Sequence, residues 1–241
     1  MKILMTGGKC LSDMIKLFKA IRHGNIEEVK QILEKKPEAV NSVSGLTPKK
    51  DHGQSPLQVA LKTGHIEIAE YLIVHGADIN FIEAEDDDPG LRMAPIFDAI
   101  GAAISSLCYK RFDESNKALI LLEKMIKMGA DVNSFTSNGL GTVNWAVFCA
   151  MQILEYPDLY IESQDEARKK LAAVLDLLIE NGVDLASWAV RGFYGEPNPG
   201  PTSRMILLDP EDSRNGLNLS KIMPLREFIQ EYFDRKNIRF N

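Results

Sequence analysis

The sequence predicts an all-α helical solenoid, and three observations carry that prediction. The pentapeptide "GADIN" (76–80) returns as "GADVN" (129–133) and, more loosely, as "GVDLA" (182–186), so Gly76, Gly129 and Gly182 stand at equal intervals of 53 residues. Recurrence at a fixed interval marks a repeat architecture, although common repeats have shorter periods. The stretch 55–80 carries two short helical patterns, each followed by a glycine. With 241 residues, 45% of them hydrophobic, the chain can bury a sizeable core as one large domain or one elongated array.

In the clearest unit, "SPLQVALKTGHIEIAEYLIVHGADIN", Ser55 is placed to cap a helix whose first residue is Pro56. Leu57 and Ala60 face one side, and Gly64 stops this first helix. A second helix carries Ile66, Ala69, Leu72 and Ile73 on one stripe and closes at Gly76. These residues resemble an ankyrin repeat: "SPLQVA" is close to that family's T-P-L-H-x-A, and "GHIEIAEYLIVHGADIN" matches its second helix and exit turn. Ala60 to Gly76 is 16 residues and Gly129 to Ala146 is 17, together the 33-residue period that the resemblance implies.

With the alanine as anchor, units align at Ala20, Ala60, Ala99 and Ala146. Four residues on stand Gly24 and Gly64 in the first two units, but Ala103 and Ala150 in the others. Alanine is the best helix former and enters a left-handed turn only at a cost, so the first helices of units three and four are expected to run on. The 53-residue spacing then resolves into insertions. Unit three has 6 extra residues in the finger before it and 14 between its helices, whereas unit four has all 20 inside its helical pair. "AAISSLCYKRF" and "AMQILEY" read as helix continuations, the latter ending at Pro157. The second helix of unit four is expected to start at Ser163, with Glu166 completing a capping box.

The expected organisation is an N-terminal tail (1–11), an ankyrin-like array (12–186, units near 12–51, 52–90, 91–138 and 139–186), and a non-repeat end (187–241). That end reads as a Gly/Pro-rich loop, "RGFYGEPNPGPTS", and a capping helix from near Pro224 with Leu225, Phe228, Ile229 and Phe233 on one face. Phe193 and Tyr194 in the loop read as staples onto the last unit, and the proline spacing makes no PxxP ligand.

Several chemistries are disfavoured. A net charge of −6 argues against a nucleic-acid backbone as partner. Three cysteines, Cys10, Cys108 and Cys149, form no CxxC pair, and His23, His52, His65 and His75 show no metal-ligand spacing. His65 and His75 suit a turn and a helix C-terminus instead. "TGGKC" lacks the first glycine of a phosphate loop and has cysteine where Ser or Thr would hold magnesium. No cofactor or metal is expected. The chain shows no secretory leader and no membrane-spanning run, so a cytoplasmic location is expected, with a specialised export route also compatible.

The function expected is protein binding through finger loops and a concave helix surface, by a monomeric scaffold without catalysis. The resemblance places Lys62, Thr63, Gly101, Ala102, Phe148 and Cys149 on the concave side. Candidate contacts are Lys49 and Lys50 in the first finger; Glu83, Glu85, Asp86, Asp87 and Asp88 in the acidic finger "EAEDDDPG"; Phe135 and Asn138 in the finger before unit four; and Lys62, Thr63, Trp145 and Phe148 on the inner helices. The family's T-P-L-H histidine is replaced by Phe18, Gln58, Phe97 and Asn144. The alternatives are an enzyme or its regulatory subunit, which needs a deep pocket with convergent ionisable groups, and a homo-oligomer, which needs an apolar stripe on the extended helices.

Overall fold

The computed structural model describes residues 8–45, 51–84, 91–137, 139–154, 156, 158–185 and 219–238. The fold class is that of an all-α helical solenoid. In chain order the α-helices are α1 (Gly8–Arg22), α2 (Ile26–Lys35), α3 (Pro56–Lys62), α4 (Ile66–Val74), α5 (Pro95–Ser105), α6 (Phe112–Lys127), α7 (Thr142–Leu154), α8 (Gln164–Glu180) and α9 (Leu219–Arg235). Among the described residues there is no strand, only a bridge between Phe135 and Gly141. Two compact units divide the chain at residues 99 and 100, within α5.

In the first unit, α1 pairs with α2 and α3 with α4, and α1 lies on α3. Ser55 caps α3 as expected: its hydroxyl accepts from the Gln58 N–H, while the Gln58 side chain accepts from the Ser55 N–H, closing a capping box. Leu57, Val59, Ala60 and Leu61 are then buried. At Gly64 the backbone turns left-handed (φ +77°), and the His65 N–H bonds the Ala60 carbonyl to end the helix. The His65 ring crosses to the preceding pair, with Nε2 3.1 Å from the Arg22 carbonyl. It lies over Gly24, where a Cβ would stand 2.8 Å from the imidazole Cε1. Both the left-handed turn (φ +68°) and the imidazole therefore require glycine there. His75 holds the expected place at the end of α4, its Nδ1 2.8 Å from the Tyr71 carbonyl.

Asn41 bonds forward along the chain, donating to the Gly76 carbonyl and accepting from the Asp78 N–H. Asn133 repeats this contact 92 residues later with the Gly182 carbonyl and the Asp184 N–H. Within each unit one asparagine thus ties an exit turn to the following one.

In the second unit the helices are longer, for the reason the alanines suggested. Ala103, fully buried, continues α5 to Ser105, and a 3-10 turn (Ser106–Tyr109) carries the chain on. Lys110 then makes the left-handed turn (φ +55°), seven residues after Ala103. α6 has 16 residues against 9 in α4, so the insertion of 14 divides equally between the two antiparallel helices. Leu107, Leu122, Met125, Ile153, Leu171 and Leu175 are fully buried. Each such side chain contributes roughly 1.5–3 kcal/mol of transfer free energy.

Two expectations need correction. α8 does follow Ser163, but that residue is helical and makes no side-chain cap; its hydroxyl donates instead to the Leu107 carbonyl at 2.7 Å. A tertiary acceptor has displaced the local one. The last helix begins at Leu219, so it runs through Pro224. Proline removes only one amide donor, and Leu225, Ile229, Tyr232 and Phe233 anchor the helix by burial. Tyr232 donates to Asp176 of α8 at 2.6 Å; burial first, then that bond, raises its phenol well above the usual range.

Candidate partner-binding surface

The sequence-derived candidates fall into three groups. Lys49, Lys50, Glu85, Asp86, Asp87, Asp88 and Asn138 lie outside the described residues. Lys62, Thr63 and Glu83 belong to the first unit; Phe135, Trp145 and Phe148 belong to the second.

Lys62 does not simply project into water. Its ammonium pairs with Asp51 at 2.8 Å and donates to Gln54. Asp51 is fully buried and also receives the Arg22 guanidinium, so the first finger is bolted to the ends of α1 and α3. Thr63 turns its hydroxyl back onto the Val59 carbonyl at 2.7 Å, which satisfies it within its own helix.

Glu83, a candidate contact at the edge of the acidic finger, is buried. One oxygen accepts from Gln58 at 2.9 Å and Gln54 at 3.4 Å, and the other from the Met93 N–H at 2.9 Å. Gln58 also donates to the Met93 carbonyl at 2.7 Å. The residue that replaces the family histidine therefore fixes the second finger at both ends, with Glu83 as the common acceptor. Such a carboxylate positions a finger and leaves no face for a partner.

Asp98 sits beside this network on α5, 5% exposed, its Oδ2 without a hydrogen-bond partner among the described residues. Burial pushes its carboxyl well above the ordinary range; the Glu83 charge adds to the push, and Lys62 opposes it. Asp51 thus gathers two cations, Arg22 and Lys62, while the Asp98 carboxyl stands beside Glu83 with its neutral form favoured by burial. Sequence reasoning missed Arg22, Asp51 and Asp98 because their partners stand 29 or more residues away or on another element. Only the placement of Asp51 just before a turn glycine offered any signal.

On α7, Trp145 and Phe148 stand one turn apart with rings stacked, centroids 5.6 Å apart and planes at 30°. Both are half-buried. A Cβ on Gly101 of α5 would meet the indole Nε1 at 3.7 Å, an ordinary contact, so the indole packs over that glycine. Gly101 and Ala102 are half-buried beside it, whereas Cys149, expected on the same surface, is buried in the core. Phe135, 38% exposed, lines a shallow apolar hollow with Val132, Asn133, Thr142 and Val183.

Among the described residues, no helix is long and apolar enough to cross a membrane, and no three His, Cys, Asp or Glu side chains gather as a metal site would require. No curated protein matches the chain. A family model described as ankyrin repeats (3 copies) matches residues 2–83, the segment that holds α1 to α4 and the ionic network. Helical pairs closed by left-handed turns and this match together show that residues 2–83 are built of ankyrin repeats.

Proposed function

We propose that the chain recognises a partner protein, seating a partner segment on its inner helices and finger loops, without chemistry of its own. Ankyrin repeats are generally protein–protein interaction modules. The observation that supports this reading most directly is the Trp145–Phe148 stack beside the bare backbone of Gly101. Large aromatics held rigid at a half-buried position are the residues that dominate interface energetics. In the second unit Phe135 adds an apolar contact, and in the first unit Lys62 and Thr63 supply polar ones. The acidic finger (Glu85, Asp86, Asp87, Asp88), the lysines Lys49 and Lys50, and Asn138 complete the proposed contact set. Glu83 acts from below by holding the finger. The framework for this reading is the four-unit array between 12 and 186, in the cytoplasm.

The test is affinity capture from source-cell lysate with the full tagged chain, followed by titration of the captured protein against the parent and Trp145→Ala/Phe148→Ala. Aromatic anchors cost at least about 2 kcal/mol each on truncation, so the double variant is expected to bind at least roughly 30-fold more weakly. Equal affinity for parent and variant would remove the inner-helix surface from the reading.

A further inference from the structure

The insertions in the second unit create a surface at the other end of its helices from the Phe135–Gly141 bridge. The connection between α5 and α6 and the connection between α7 and α8 meet there: Ser163 Oγ donates to the Leu107 carbonyl at 2.7 Å, and Lys110 Nζ pairs with Glu162 Oε2 at 2.8 Å. Around these two bonds four large apolar side chains face water: Tyr109 is 73% exposed, Tyr156 50%, Leu159 67% and Ile161 74%. They stand on ordered backbone. The Leu159 and Tyr160 N–H groups both donate to the Tyr156 carbonyl, and the Ser163 N–H to that of Tyr160.

Two features separate this cluster from scattered exposed residues. Its charges are sorted: Lys110 and Arg111 follow Tyr109 on one connection, while Asp158 and Glu162 bracket Leu159 and Ile161 on the other. And Lys110 occupies a left-handed turn (φ +55°) of the kind that glycine forms at Gly24 and Gly64. A lysine there is strained, yet it places an ammonium at the centre of the patch.

We infer that this surface is a contact between two copies of the chain. A two-fold contact must be self-complementary, because each copy offers the same patch to the other. An apolar patch crossed by the Lys110–Glu162 pair, with cations on one connection and anions on the other, meets that condition. Rotation by a half-turn sets Lys110 and Arg111 of one copy against Asp158 and Glu162 of its mate, and a partner of one predominant sign would be repelled by half of the patch. Four aromatic and aliphatic side chains at these exposures present on the order of 500 Å² per copy, about 1,000 Å² for the pair, the lower limit for a specific interface. The dimer is therefore weak and reversible, forming at micromolar concentrations and above.

α7 runs from the finger bridge at Gly141 to this patch, and its 13 residues span about 20 Å. A dimer formed through the patch leaves Trp145, Phe148 and Phe135, nearer the other end of α7, uncovered and doubles the number of these surfaces. This inference does not depend on the proposed partner reading, because self-association is measured with the purified chain alone.

The experiment is sedimentation equilibrium of the full chain between about 1 and 500 µM, the range in which an interface of this size is populated. The parent is expected to rise from monomer mass toward dimer mass. Leu159→Ser/Ile161→Ser, whose side chains are exposed, is expected to stay monomeric with unchanged helical circular dichroism. Lys110→Glu and Glu162→Lys are each expected to weaken association at least tenfold, and an equimolar mixture of the two to recover it, since a mixed pair restores both opposite-charge contacts. A parent that remains monomeric throughout overturns the inference, even if the patch then proves to bind another protein or a lipid surface. A dimer indifferent to all these substitutions, or a charge-variant mixture that fails to recover, overturns it as well.

Discussion

The two compact units fix their loops with different polar groups. In residues 1–99 buried carboxylates gather the donors: Asp51 takes Arg22 and Lys62, and Glu83 accepts from Gln54, Gln58 and the Met93 N–H. In residues 100–241 neutral side chains close backbone carbonyls, Ser115 on Ala103, Ser163 on Leu107, and Gln164 on Ile153, while buried Lys170 donates to Asn116. The difference follows from helix length. Short helices ending at Gly64 leave loops that only side chains can hold in place. Helices extended by two turns hold their connections through an enlarged apolar core, and need polar groups only to close single backbone acceptors.

Breaking the ionic network is the most severe test of that comparison. Asp51→Ala strands two cations against a buried site and is expected to cost about 3–5 kcal/mol, measured by denaturant unfolding. Hydrogen exchange should show the loss in α1 and α3, while α7 and α8 keep their protection. Uniform loss across both units would mean that they unfold as one and that the contrast has no energetic content.

Gly24→Ala tests the turns. It adds a Cβ 2.8 Å from the His65 ring at φ +68° and is expected to cost about 2 kcal/mol. Lys110→Gly, the counterpart in the second unit, relieves a left-handed lysine and is expected to be neutral or to stabilise by up to about 1 kcal/mol. Thermal melts of the two variants should move in opposite directions or, for Lys110→Gly, not at all.

The smallest expected effect sharpens the comparison through pH. Burial raises the Asp98 carboxyl above its unfolded value, so the folded state holds a proton that the unfolded state releases. Stability from this group is present below the unfolded value, near pH 4, and is lost as pH rises toward the raised folded value. Asp98→Asn, which carries no titratable proton, should therefore match the parent most closely near pH 4 and exceed it by a margin of about 1 kcal/mol or more at higher pH. Parallel melting-temperature profiles would show that Asp98 does not titrate differently on folding.

Much of the architecture was legible because it rests on local chemistry. Ser55, Pro56, Gly64 and Gly76 dictate where α3 and α4 begin and end, and Ala103 foretells a longer α5, since capping, left-handed turns and helix propensity act within a few residues. Trp145 and Phe148 were recognisable as neighbours because residues three apart share a helix face. The burial of Glu83 was not legible because its donors, Gln58 and the Met93 N–H, come from other parts of the chain. Ser163 was misread as a cap for the same reason.

The sequence by itself determined the helical pairs, the ankyrin character of residues 2–83 and the sites of the two insertions, because each follows from residue type and spacing along one segment. Only the tertiary structure decided which charges are buried, that Asp98 stands beside Glu83, and that the two insertions meet at Lys110 and Glu162. Those outcomes depend on distances between segments tens of residues apart, and such distances are set by the packing of helices rather than by any local pattern.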